Sequence, residues 1–169
     1  MLSFDPIATL AREHVALEQL FMRHQEALVM RVWARAARLL EHYCKRLEYQ
    51  IQLEERYLLP YWIEEKAPGR SQASIYVAEH RRLEDLMQKT STRLAIARRR
   101  GITASVLVAL LDEEKVFKHV IGYHYQREET VLFTVVRQTL PEEVRFEFVY
   151  TLMHQPHAAH TVAADSLRH

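Results

Sequence analysis

Two phrases, each written twice, decide the architecture. Glu13-His14-Val15-Ala16-Leu17-Glu18-Gln19-Leu20-Phe21 returns as Glu79-His80-Arg81-Arg82-Leu83-Glu84-Asp85-Leu86-Met87. Gln50-Ile51-Gln52-Leu53-Glu54-Glu55-Arg56-Tyr57-Leu58-Leu59 returns as His124-Tyr125-Gln126-Arg127-Glu128-Glu129-Thr130-Val131-Leu132-Phe133, with Gln50 where His124 stands. His14 and His80 lie 66 residues apart and Glu54 and Glu128 lie 74 apart, so an insertion between the phrases absorbs the difference. A repeat on this scale means one supersecondary unit used twice. The apolar residues around each phrase keep helical spacing, so the unit is a helical hairpin. Two such hairpins predict an all-α, up-down-up-down four-helix bundle with a pseudo-twofold axis.

Outward from the phrases, the punctuation sets the helix ends. Asp5-Pro6 opens the first helix, whose stripe runs through Ile7, Leu10, Leu17, Phe21 and Leu28. No Gly or Pro marks the first turn, which is placed near Val29 to Val32 because a bundle must reverse there. The second helix carries Ala36, Leu40, Tyr43, Leu47 and Leu58 inward, kinks at Pro60 and stops around Ala67-Pro68-Gly69. The third runs from Ser71 to Arg100. The fourth starts after the N-cap Thr103, turns Leu107, Leu110, Phe117, Ile121, Val131 and Val135 to one face, and ends at Leu140-Pro141. A shorter fifth helix opens with Pro141-Glu142-Glu143 and runs toward His154. One domain over 1–169 is expected, with the bundle over about 7–138 and the extra helix and tail over about 141–169.

The polar residues on these stripes carry the chemistry. His124 and Glu128, four apart, share a helix face about one turn from each other. A carboxylate on an apolar stripe is costly to bury unless a cation neutralises it. Glu54 repeats the problem on the second helix, while His14 and His80 place an imidazole on each of the other two. One such residue is ordinarily a hydrogen-bonded core group. Five on four helices, duplicated by a repeat, point to a metal site, and the imidazole–carboxylate mixture favours non-haem iron over a thiolate-type zinc site.

These residues resemble the hemerythrin-like, or HHE cation-binding, family, whose pattern is His, then His-x-x-x-Glu, then His, then His-x-x-x-Glu or Asp on successive helices. The resemblance covers about residues 7–138. It implies His14, Glu54, His80, His124 and Glu128 as ligands, with both glutamates bridging two irons. It further implies oxygen or nitric-oxide binding or sensing, or iron handling, with metal-dependent redox chemistry or iron–sulfur repair as the enzymatic alternative and a helical module with a decayed site as the third. Two positions depart from the pattern. Gln50 replaces a histidine and offers only a neutral amide oxygen. Tyr76 replaces another and offers a phenol. One metal, or Zn or Mn, is therefore an expectation beside the iron pair.

Composition excludes other classes. With 23 basic and 22 acidic residues and a net charge of +1, the chain lacks the basic footprint of a nucleic-acid-binding protein. Arg98-Arg99-Arg100 reads as a helix C-terminus before Gly101. No apolar run reaches the length of a membrane span. Met1-Leu-Ser-Phe-Asp-Pro lacks the features of a secretory signal and the lone Cys44 makes no intrachain bridge, so a cytoplasmic location is expected. None of the ten histidines has Glu three residues before it, which argues against a ferritin-like site, and no His-Glu-x-x-His occurs. The expected partners are iron or a small gas, binding is favoured over catalysis, and a homodimer is one allowed state.

The remaining histidines have milder roles. His24 lies ten residues beyond His14, level with Tyr43, Thr90 and Glu114, which predicts a second polar layer with a His24–Glu114 hydrogen bond. His42 and His119 read as flank residues. His154, His157 and His160 belong to an exposed tail. Trp33 and Trp62 are packing anchors. Glu13, Glu55, Glu79 and Glu129 turn about 100° from the ligands, toward solvent or toward bonds with the ligand side chains.

Overall fold

The computed structural model describes residues 5–62 and 72–154. The expected stop at Ala67-Pro68-Gly69, the start at Ser71, and His157 and His160 lie outside the described residues. Helix α1 spans Pro6–Val29, α2 Trp33–Tyr57 and α3 Ala73–Arg100. Then come α4 over Ala104–Arg127, a π-helical turn over Glu128–Leu132, α5 over Phe133–Thr139 and α6 over Glu142–Met153. No strand occurs among the described residues.

Local chemistry accounts for most boundaries. Thr103 accepts from the Val106 N–H, so the expected N-cap is in place, and Asp5 caps α1 by accepting from the Ile7 N–H. The first turn falls where it was expected, and Arg31 carries it at φ 59°, a left-handed conformation that Gly or Asn usually supplies. That is why no glycine announced it. Gly101 closes α3 at φ 93° beyond the three arginines. Two boundaries differ from expectation. Helix α2 ends at Tyr57 and Pro60 lies within a short 3₁₀ turn, Leu59–Tyr61, so the proline terminates the helix instead of kinking it. The fourth helix runs on without a gap past Arg127 but widens at Glu128–Leu132, where the Phe133 N–H reaches back to the Glu128 carbonyl. The widening buries Leu132 fully and leaves Val131, expected inward, half-buried.

Cross-helix pairs establish the topology. Glu13 meets Arg46 while His24 meets Ala36, so α1 and α2 are antiparallel. Glu55 with His80 and Cys44 with Ser91 do the same for α2 and α3. Glu79 with His124 and Glu113 with Arg93 reverse α4 against α3, and His14 with Glu129 and His24 with Glu114 close α4 onto α1. This is the up-down-up-down bundle.

Two apolar clusters fill it. One, around Leu17, Phe21, Leu40, Tyr43, Leu83, Met87 and Phe117, occupies the half toward the α1–α2 turn. The other joins Ile7, Leu10, Leu53, Tyr57, Tyr76, Leu132, Phe133 and Phe148 at the opposite end. Helix α6 belongs to the second: Phe148 is fully buried and stacks on Tyr57 with ring centroids 4.9 Å apart. Between the clusters lies a buried polar layer.

Candidate metal centre

The layer holds His14, Gln50, Glu54, His80, His124 and Glu128, none more than 2% exposed. Glu54, His80, His124 and Glu128 each aim one ligand atom into a group whose members lie within 4.8 Å of one another. Glu128 is central. Its Oε1 is 3.1 Å from His124 Nε2 and 3.9 Å from His80 Nε2, and its Oε2 is 3.1 Å from His14 Nε2. Glu54 Oε2 lies 3.3 Å from His80 Nε2, while Gln50 Nε2 donates to Glu54 Oε1 at 2.7 Å.

A second ring of bonds orients the imidazoles. His14 Nδ1 donates to Glu129 at 2.9 Å, His80 Nδ1 to Glu55 at 2.9 Å and His124 Nδ1 to Glu79 at 3.0 Å. An ionised carboxylate only accepts, so each Nδ1 keeps its proton and each Nε2 faces the centre, the arrangement expected of metal-binding histidines. Arg127 Nε steadies Glu79 at 3.0 Å. Glu13 is the exception among the four outer glutamates, because Arg46 grips both its oxygens at 2.8 and 2.7 Å. Of the two alternatives open to these glutamates, Glu55, Glu79 and Glu129 bond to the ring nitrogens.

The electrostatics follow from this crowding. Burial penalises the charged ring of His80, but Glu128, Glu54 and Glu55 outweigh it and push its pKa up to about 10. Against the same penalty, Glu128 and Glu79 push His124 up to about 9, and Glu128 and Glu129 raise His14. Burial, reinforced by the charge on Glu128, pushes Glu54 up to about 7. Glu128 is also opposed by burial, yet His124, His14 and His80 hold it well below the usual carboxylate range.

Several of these atoms lack the hydrogen bonds that burial ordinarily demands. His14 Nε2, His80 Nε2, Glu54 Oε2 and both Glu128 oxygens have none, although their neighbours stand close enough. Donors and acceptors this near, but not aligned on one another, converge on shared space between them. An imidazole–carboxylate set aimed at one point is chemically matched to a divalent cation. The residues present therefore fit a metal.

Tyr76 is fully buried beside this layer, its hydroxyl without a hydrogen-bond partner and its ring edge-on to Trp62. Burial and the charge on Glu128 raise its pKa, which keeps it a phenol in the metal-free chain. Tyr125, not foreseen from sequence, stacks on His14 with centroids 3.9 Å apart and planes at 10°. Its only signal was an aromatic residue next to His124. Arg46, one turn before Gln50, was also unforeseen.

The other histidines fall as expected where they are described. His24 Nδ1 donates to the Ala36 carbonyl at 2.8 Å, and His24 Nε2 lies 2.8 Å from Glu114 Oε1 with both side chains buried. Gln25 donates to the other Glu114 oxygen at 3.0 Å. His42 is half-buried, and His119 and His154 are exposed. Cys44 is half-buried beside Ser91, with burial raising its thiol pKa, the setting of an inert packing residue.

Compared with known proteins, residues 5–120 match the sequence profile of the Hemerythrin HHE cation binding domain. The match stops short of His124 and Glu128, so these two rest on the internal repeat and on their geometry. No curated protein and no solved structure gives a significant match.

Proposed function

Because this chain belongs to the Hemerythrin HHE cation-binding family, we propose that the cation it binds is iron and that the loaded centre takes a small neutral gas, oxygen or nitric oxide. The observation that carries this reading is the set of five buried, unpartnered nitrogen and oxygen atoms of His14, His80, Glu54 and Glu128. His124, whose ring Nε2 faces Glu128 Oε1, completes the proposed protein ligands. Iron in such a site supplies a Lewis acid that changes oxidation state by one electron.

The chain's own residues do the rest. Glu55, Glu79 and Glu129 fix ring orientation, Tyr125 braces His14 from one face, and the apolar clusters above and below exclude bulk water. An enclosed layer of this kind favours a small uncharged ligand over a charged substrate. No helix among the described residues is long and apolar enough to cross a membrane.

The test is anaerobic reconstitution of the full chain with Fe(II), followed by metal analysis and optical spectroscopy before and after addition of nitric oxide or oxygen. Uptake of iron and a charge-transfer band that responds to the gas are expected. Iron uptake with no response to either gas would reject the gas-binding role and favour iron handling. Catalytic consumption of peroxide or repair of damaged clusters would favour the redox reading. The amide at Gln50 supports one competitor, a helical module whose metal site has decayed. A stably folded chain that takes up no Fe(II), Mn(II) or Zn(II) would establish it.

A further inference from the structure

The internal repeat provides a standard of comparison within the molecule. The pseudo-twofold axis exchanges His14 with His80, Glu128 with Glu54, and His124 with Gln50. Contacts obey it atom by atom: Glu128 Oε2 faces His14 as Glu54 Oε2 faces His80, and Glu128 Oε1 faces His124 as Glu54 Oε1 faces Gln50. The axis therefore relates two half-centres. One is lined by His80, His124, Glu54 Oε2 and Glu128 Oε1. The other is lined by His14, Gln50, Glu128 Oε2 and Glu54 Oε1.

The halves are chemically unequal, and three linked differences make them so. Where the first offers the His124 ring, the second offers the Gln50 amide, whose N–H donates to Glu54 Oε1 at 2.7 Å and so places a hydrogen where a cation needs a lone pair. The carboxylate that would orient a histidine at position 50 is Glu13, the mate of Glu79, but Arg46 holds both its oxygens. Arg46 itself has the apolar Val120 as its mate, so this ion pair is specific to the weakened half. In the first half Glu54, His80, His124 and Glu128 offer four imidazole and carboxylate donor atoms that all lie within 4.8 Å of one another.

We propose that the chain holds one cation tightly, in the His80–His124–Glu54–Glu128 half, and that the His14–Gln50 half is a weak, exchangeable position shut by the Gln50–Glu54 hydrogen bond and the Arg46–Glu13 pair. This deepens the metal-binding reading and rests on it. Filling the second half requires the Gln50 amide to give up its bond to Glu54 Oε1 and leaves its neutral oxygen, buried without a partner, as the atom it can offer a cation. Loss of one outer carboxylate alone weakens metal sites by about 10–100-fold. With the imidazole missing as well, the two affinities are separated by about 100-fold or more.

The experiment is a Co(II) titration of the full chain, followed by visible absorption and by calorimetry. One tight equivalent is expected, with any second binding at least about 100-fold more weakly. His14→Ala leaves the tight equivalent in place, whereas His124→Ala removes it, with circular dichroism showing that both fold. Arg46→Val combined with Gln50→His narrows the gap to within about 10-fold and yields a two-metal centre. Two Co(II) ions of equal affinity in the unaltered chain would overturn the proposal, as would loss of the tight equivalent in His14→Ala with retention in His124→Ala. A folded chain that takes up no Co(II) at all defeats the metal-binding reading itself, a distinct result.

Discussion

Cation uptake by this chain is expected to displace protons, and the number follows from the polar layer. In the metal-free protein His80 and His124 hold their protons up to pH values of about 10 and about 9. Their Nδ1 atoms stay protonated because Glu55 and Glu79 accept from them, so the proton that leaves on metal binding is the one on Nε2. Near neutral pH the tight half therefore releases about two protons per cation. Each released proton makes the apparent affinity rise about 10-fold per pH unit, so two give about 100-fold, or about 2.7 kcal/mol per unit. Below about pH 7 Glu54 is protonated as well and the dependence steepens further. Chelator competition at pH 6.5, 7.5 and 8.5, corrected for the chelator's own protonation, reads the slope. Calorimetry in buffers of different ionisation enthalpy counts the protons. Release of less than about half a proton, with affinity flat across that range, would refute the reasoning. The sign for metal-free stability is the same for both rings. Their folded pKa values are raised, so the stability they contribute is fully present below about pH 6.5 and is lost as pH rises through 9 to 10. Glu128 is shifted downward, so its contribution holds above about pH 4.5 and is lost as pH falls through its folded value.

Three further outcomes are expected. Glu55→Ala, at a half-exposed carboxylate that orients His80, should weaken Co(II) binding by about 10–100-fold without changing its stoichiometry; equal affinity would remove the orienting role. Glu114→Ala strands the buried His24 Nε2 and should cost about 3 kcal/mol in denaturant unfolding without altering cation stoichiometry, and a loss below about 0.5 kcal/mol would show that the second polar layer is not structural. Arg31→Gly relieves a left-handed backbone at φ 59° and should raise stability by about 1 kcal/mol, seen as a higher melting temperature; a lower one would mean that the arginine side chain contributes more than its backbone costs.

The bundle was legible because the most expensive residues to bury recur. His14, Glu54, His80, His124 and Glu128 sit on apolar stripes where charge is costly, and the same phrase carries them twice. The level of His24 and Glu114 was legible for a simpler reason, that helical rise converts residue separation into height. The partner of Glu13 was not. Arg46 takes it across the α1–α2 interface, and nothing in the residue types states which of several nearby cations a half-exposed glutamate will take. The early end of α2 was hidden because Pro60 is compatible with both a kink and a stop.

The π-helical turn was the least legible feature, and it explains how the repeat diverges beyond the metal layer. His124, Glu128, Leu132 and Val136 are four residues apart and all buried. Four residues in an α-helix overshoot a full turn by about 40°, so three such steps carry a side chain about 120° off the face where it began. An i to i+5 turn is wider and takes up that overshoot, so one helix can aim His124 and Glu128 at the polar layer and still point Leu132 and Val136 into the apolar cluster beneath it. In the other half the same phrase meets the same difficulty after Glu54, and there α2 ends at Tyr57. Leu58, the mate of Leu132, is fully buried without a continuing helix to carry it. The two copies thus reach the same burial of a leucine below the buried glutamate by different backbone means, one by stopping and one by widening. Such divergence is available because the contribution of these two helices to the polar layer ends at Glu55 and Glu129, and the path beyond them supplies apolar side chains to the cluster beneath.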